Sequence, residues 1–162
     1  NKLKNIKGLD IALDLFDKFN KANDNNCILN IFGKIDKKYI DKENINILGE
    51  INNPSELRKI YSASNLLLNP SRLESFGQVA LEALACGLPI LVNKGTGTND
   101  LILSDEMGYI LENEISSNFN SLLEWFNKNC LNNNQDLLHQ KIKEYFSYDV
   151  IAKSYIKVLN KI

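Results

Sequence analysis

The sequence is poor in the residues that most often announce a chemistry. It has one histidine, one methionine, one tryptophan, three prolines and three cysteines among 162 residues. The sole histidine, His139, lies on a segment read as a late helix, remote in sequence from the richest motif, and reads as a surface or packing residue; a histidine-based mechanism has no support. Cys27, Cys86 and Cys130 are an odd number without metal-ligand spacing, and the first two fall in segments read as buried, so reduced structural thiols of a cytoplasmic protein are expected. Neither charge sign is in excess: 19 Lys and Arg face 20 Asp and Glu, for a formal net charge of -1. No basic cluster with interleaved aromatics occurs, which sets nucleic acid aside as a partner. No apolar run approaches the ~20 residues that cross a bilayer, and no signal peptide opens the chain. The expectation is a cytoplasmic protein whose membrane association, at the inner face of the cytoplasmic membrane, would be peripheral. Asp10, Asp14 and Asp17 lack Asp-x-Asp spacing and read as the wet face of a helix, so no metal is expected.

What is present is ordinary for one globular domain: 44% hydrophobic and 24% charged residues, enough to bury roughly two thirds of the unfolded surface. Leu9, Ala12, Leu13, Phe16 and Phe19 repeat at helical spacing after Gly8. Short apolar runs follow: Cys27 to Gly33, Asn44 to Leu48, Leu66 to Leu68, Ile90 to Val92 and Gly108 to Leu111. Helical segments separate several of them, one starting at Asn53 with Pro54 in its first turn, others over Gln78 to Ala85, around Leu122 to Phe126 and over Leu137 to Tyr145. Phe146 to Asp149 opens a terminal helix running through Tyr155 and Val158. Alternating strands and helices with short loops predict an α/β fold, a Rossmann-like parallel sheet flanked by helices.

The densest information lies between Asn69 and Asp100. The apolar run ending at Leu68 stops at Asn69-Pro70, since proline donates no ladder hydrogen bond. Strong helix formers then occupy Gln78 to Ala85, and Gly87 with Pro89 closes the segment. Amides around Phe76, Gly77, Gln78 and Val79 begin this helix, lack intrahelical partners and present the positive end of the dipole, a place for phosphate. Gly77 lets a ligand come down onto the backbone. Glu82 lies five residues on, ~7 Å along the axis, about where the ribose of a nucleotide would lie with its diphosphate on the helix start. Glu74 would face the other end of the ligand. Gly33, Lys34, Gly49 and Ile51, at strand ends on one sheet edge, are candidates to flank a nucleobase. The glycines of Gly95-Thr96-Gly97-Thr98 do not make a dinucleotide fingerprint, because the third glycine and the later acidic residue are missing.

Glu74 and Glu82, with seven residues between them inside Pro-Ser-Arg-Leu-Glu-Ser-Phe-Gly-x4-Glu-Ala-x-Ala-x-Gly-x-Pro, resemble the E-x7-E signature of the GT-B retaining glycosyltransferases, group 1 (family 4). The resemblance implies that Glu82 binds the donor ribose, that amides near Gly77 and Gln78 hold the diphosphate, and that Glu74 lies beside the transferred sugar. It implies that Lys7, in Lys7-Gly8, takes the place of the family's phosphate-binding lysine, while Lys2 stands where the family usually has arginine. The family often has Gly-Gly-x-x-Glu near the donor sugar; here Thr96 replaces the first glycine, Gly97 keeps the second and Asp100 replaces the glutamate. The terminal helix resembles the family's closing helix, which packs toward the N-terminal domain.

The implied whole is the C-terminal nucleotide-sugar-binding domain over residues 1–162, with the acceptor domain outside this chain. Implied too are a nucleoside diphosphate sugar such as GDP-mannose or a UDP-hexose, a glycan or glycolipid acceptor reached through the other domain, no cofactor, and transfer to a bacterial surface glycan such as lipopolysaccharide core or capsule. The fragment alone is expected to be inactive. The same architecture also serves nucleotide-sugar epimerases and phosphorylases, and a non-catalytic nucleotide-binding module is the remaining alternative.

Overall fold

In the computed structural model, residues 6–35, 43–112, 115–131 and 135–160 are described, the side chains of 115–118 excepted. Lys2 lies outside them. The element order is α1 (Leu9–Ala22), β1 (Leu29–Phe32), β2 (Ile45–Gly49), α2 (Pro54–Ser62), β3 (Leu67–Asn69), α3 (Gln78–Ala85), β4 (Ile90–Asn93), a 3₁₀ turn (Gly97–Leu101), β5 (Gly108–Leu111), α4 (Ile115–Asn129), α5 (Gln135–Phe146) and α6 (Tyr148–Leu159). All strand pairs are parallel: β1 pairs β2, and β4 sits between β3 and β5.

The period-2 alternation of β4 divides the core. Ile90 and Val92 face one side, into Tyr61, Ala80, Ala83, Leu84, Leu138 and Ile142 from α2, α3 and α5. Leu91 faces the other, among Leu15, Phe19, Leu122 and Trp125 from α1 and α4. All three strand residues are fully buried. A strand covered on both faces is what a continuous apolar run means, and it is the doubly flanked arrangement expected from the sequence.

Several expectations shift in detail. The run Cys27 to Gly33 is only half-buried, with Ile28 68% exposed, because β1 has a single strand neighbour and Ile28 precedes the ladder. Cys27 and Cys86 are likewise half-buried; the fully buried thiol is Cys130. In α1 the buried side chains are Leu15, Phe16 and Phe19, with Leu9, Ala12 and Leu13 half-buried. The second half of the helix meets the Phe119 and Phe126 rings, whose centroids lie 5.4 and 4.9 Å from that of Phe19. Asn53 caps α2 by accepting from Ser55 N at 2.9 Å, and Pro54 opens the helix as its fixed φ suits. Phe146 ends α5, so α6 starts at Tyr148, and its residues are all half-buried or exposed.

Candidate active site

The loop entering α3 is built from inside. Asn93, at the end of β4, donates from Nδ2 to the carbonyls of Pro70 (2.7 Å) and Ser71 (3.2 Å), and buried Ser71 donates to Asn69 Oδ1 at 3.0 Å. The neighbouring C-terminal ends of β3 and β4 therefore hold the loop in common. It delivers the chain to Gly77, the N-cap of α3, at φ 84° and with no side-chain cap. The first amides of α3 thus remain without a capping side chain, as an anion site requires. Gly77 is needed for space as well as for its left-handed backbone, since a Cβ there would collide with the Thr98 methyl.

The loop after β4 closes on the same place. Thr96 donates to Asn93 O at 2.9 Å, and its hydroxyl lies 2.6 Å from that of Thr98. Gly97 N donates to Glu74 O at 2.8 Å, and a Cβ on Gly97 would run into Ser75 O. Thr96 therefore turns its side chain inward and is nearly covered, while the backbone of Gly97 lies against the Glu74–Ser75 segment. Phe76, Gln78 and Val79 are exposed around the helix start, and Glu82 is exposed further along α3.

Lys7 and Glu74 meet directly: Nζ donates to Oε2 at 2.7 Å. The sequence places them 67 positions apart. Arg72 N donates to Ile6 O at 2.7 Å, so the turn carrying Lys7 is docked onto the motif loop. The Arg72 guanidinium also grips Asp10, a residue expected to be merely solvated, and this hydrogen bonding pushes its pKa further up.

Gly33, Lys34, Gly49 and Ile51 form a second group at the end of the β1–β2 pair. Gly33 N donates to Gly49 O at 2.7 Å, both glycines have positive φ, and Lys34 pairs with Glu50 at 3.4 Å. Phe32, at the end of β1, has its ring 6.1 Å from that of buried Tyr61 on α2. Burial pushes the Tyr61 phenol upward, and the Glu82 carboxylate adds to it, so this ring lies within the field of Glu82. Burial likewise raises the thiols of Cys27, Cys86 and Cys130, the last to about 12. None of the three has the thiolate character of a nucleophile. Among the described residues no group of three His, Cys, Asp or Glu side chains could hold a metal ion. Nor, among them, is any helix long and apolar enough to cross a membrane.

The family model described as glycosyl transferases group 1 matches residues 1–145. The chain belongs to that family. Among curated proteins, the D-inositol 3-phosphate glycosyltransferase of Gordonia bronchialis is 37% identical over 71 residues, covering 44% of this chain and 16% of that protein. Among solved structures, WaaG, a glycosyltransferase involved in lipopolysaccharide biosynthesis, superposes with a TM-score of 0.71 at 20% identity, over 90% of this chain and 41% of WaaG. Anabaena HepE in complex with UDP superposes with a TM-score of 0.67 at 18% identity, over 97% of this chain and 46% of that one. The group 1 chain therefore spans a sixth of the curated relative and under half of each solved neighbour, and its fold is a Rossmann-like part of the GT-B architecture.

Against this family frame, sequence reasoning missed four contributors. Arg72 stands inside the motif and Asp10 two residues after Gly8, but nothing in their spacing announces a pair 62 positions apart. Asn93 and Thr98 act as buttresses of the helix entry, which only folding reveals. His139 is the fifth surprise: its Nδ1 lies 2.6 Å from Ala85 O, at the C-terminal end of α3. Remote from the motif in sequence, it touches the motif helix at the end away from Gly77.

Proposed function

We propose that this chain is the donor-binding, C-terminal domain of a retaining glycosyltransferase that takes a nucleoside diphosphate sugar. The observation that carries this reading is the uncapped start of α3 at Gly77, with Glu74 before it and Glu82 on the helix, in a chain of the glycosyl transferases group 1 family. The α3 amides and the ammonium of Lys7 would hold the diphosphate, whose charge grows as the glycosidic bond breaks, so preorganised positive groups favour the transition state over the ground state. Glu82 would accept the two ribose hydroxyls, and Glu74 would lie beside the sugar. Thr96 and Gly97 contribute through the backbone of their loop, since the Thr96 hydroxyl is spent within it. Gly33 and Ile51 would flank the base. The chemistry needs no metal in this reading.

GDP-mannose or a UDP-hexose is the proposed donor, and a bacterial surface glycan such as lipopolysaccharide core or capsule the proposed product, reached through an N-terminal acceptor domain. HepE in complex with UDP and WaaG in lipopolysaccharide biosynthesis support this by analogy of fold. The work would take place in the cytoplasm, at the inner face of the membrane. Calorimetric titration with UDP, GDP and ADP, repeated on Glu82→Ala, tests the reading. Selective binding of one nucleotide, weakened about tenfold or more in the variant, is expected from losing a charged hydrogen-bond acceptor. Equal affinity in wild type and variant would remove Glu82 from the site.

A further inference from the structure

Lys7 can serve a diphosphate only if its turn is held at a fixed height over the motif loop. The structure shows three contacts that do this. Gly8, at φ 71°, sits so close to the motif loop that a Cβ would collide with the Pro70 carbonyl. Arg72 N donates to Ile6 O at 2.7 Å. The Arg72 side chain reaches Asp10, with Nη1 donating to Oδ1 at 2.7 Å and Nη2 to Oδ2 at 2.6 Å. Ile6, Gly8 and Asp10 flank Lys7 on both sides, and Pro70 and Arg72 lead directly into Glu74.

We propose that Arg72, through its two-pronged grip on Asp10, is a positioning residue that sets where Lys7 meets the diphosphate. The inference rests on the nucleotide-sugar reading above. Two parallel hydrogen bonds from a planar fork fix direction as well as distance, which a single ammonium contact cannot do. The pair joins the first turn of α1 to the loop before α3, so it orients the backbone that carries Lys7 relative to the backbone that carries Glu74. Arg72 and Asp10 are each close to half exposed, and exposed pairs of this kind contribute little to global stability. Loss of the grip therefore costs geometry at Lys7 rather than the fold.

The test uses the full-length protein carrying this chain, titrated with UDP, GDP and ADP, and then Arg72→Ala, Arg72→Lys and Asp10→Asn with whichever nucleotide binds. Arg72→Ala is also made in a Lys7→Ala background. Arg72→Ala and Asp10→Asn are each expected to weaken binding about tenfold, with Arg72→Lys recovering little of it and with the thermal midpoint nearly unmoved. In the Lys7→Ala background the Arg72→Ala change should have no further effect. Undiminished binding by Arg72→Ala, or an equal loss in both backgrounds, overturns the positioning role. Failure of the wild type to bind any of the three nucleotides overturns the nucleotide-sugar reading itself, a distinct result. Should Arg72→Ala not fold, Asp10→Asn and Arg72→Lys make the same comparison against Lys7→Ala.

Discussion

The Lys7 ammonium lies 2.7 Å from the Glu74 carboxylate, yet the two side chains are unequally placed: Lys7 is 75% exposed and Glu74 19%. The carboxylate is held by its loop, whose carbonyl at the same residue accepts from Gly97 N. The lysine, on an open four-carbon stem, can exchange a carboxylate for a phosphate without uncovering any apolar surface.

If Lys7 holds the diphosphate as proposed, replacing it by methionine should weaken binding of the cognate nucleoside diphosphate about tenfold while leaving the affinity for the corresponding nucleoside unchanged, because in that reading only the diphosphate meets the ammonium. Calorimetry with both ligands measures the split. Equal losses for the two would remove Lys7 from the phosphate subsite.

Gly77→Ala carries two penalties, a left-handed backbone at φ 84° and a collision with the Thr98 methyl. A destabilisation of about 1–3 kcal/mol is expected by denaturant titration. In a Thr98→Ser background, where the colliding methyl is gone, the same change should cost less; an identical cost would mean that backbone strain alone is responsible.

Leu91 fills the core between α1 and α4, so Leu91→Ala should cost about 2–5 kcal/mol through lost burial and a residual cavity. Ile28→Ala, at a residue 68% exposed just before β1, should stay within about 0.5 kcal/mol of wild type. Urea midpoints of the two variants rank them directly.

Glu106 is held down at about 2 by its hydrogen bond with Lys141. A carboxylate whose folded pKa lies below its unfolded value contributes stability that is complete above the unfolded value, near 4.5, and is lost as pH falls toward about 2. Glu106→Gln should flatten that part of the acid limb of the stability curve by lowering stability above the unfolded value, near 4.5, while leaving it nearly unchanged near pH 2; the loss is small, since the pair is substantially exposed. Thermal midpoints between pH 7 and pH 2 report the difference.

Burial raises the Cys130 thiol to about 12, and the residue is buried among Leu15, Trp125 and their neighbours. An alkylating reagent at pH 8 should spare Cys130 in the native protein and modify it once denaturant is added; peptide mass mapping shows which thiols have reacted. Rapid native alkylation there would contradict the packing of α4 against β4.

Much of this was legible from residues alone. Asn69-Pro70 ended a strand and Gly87 closed α3, because proline and glycine act on the backbone wherever they stand. The motif between Pro70 and Pro89 carried the family, since its residues lie close together in sequence and meet in one loop and one helix. The half-burial of β1 was not legible, because an apolar run reads alike whether its strand has one neighbour or two.

The sequence by itself determined which elements form and that an uncapped helix start at Gly77 is flanked by Glu74 and Glu82, since capping, turn chemistry and periodicity act within a few residues. Only the tertiary structure decided that Lys7 meets Glu74, that Arg72 clamps Asp10, that Thr98 backs Gly77 and that His139 lies at the far end of α3. Each of those contacts joins residues distant in the chain, and their meeting depends on how helices from both faces settle against β4, which no local pattern encodes.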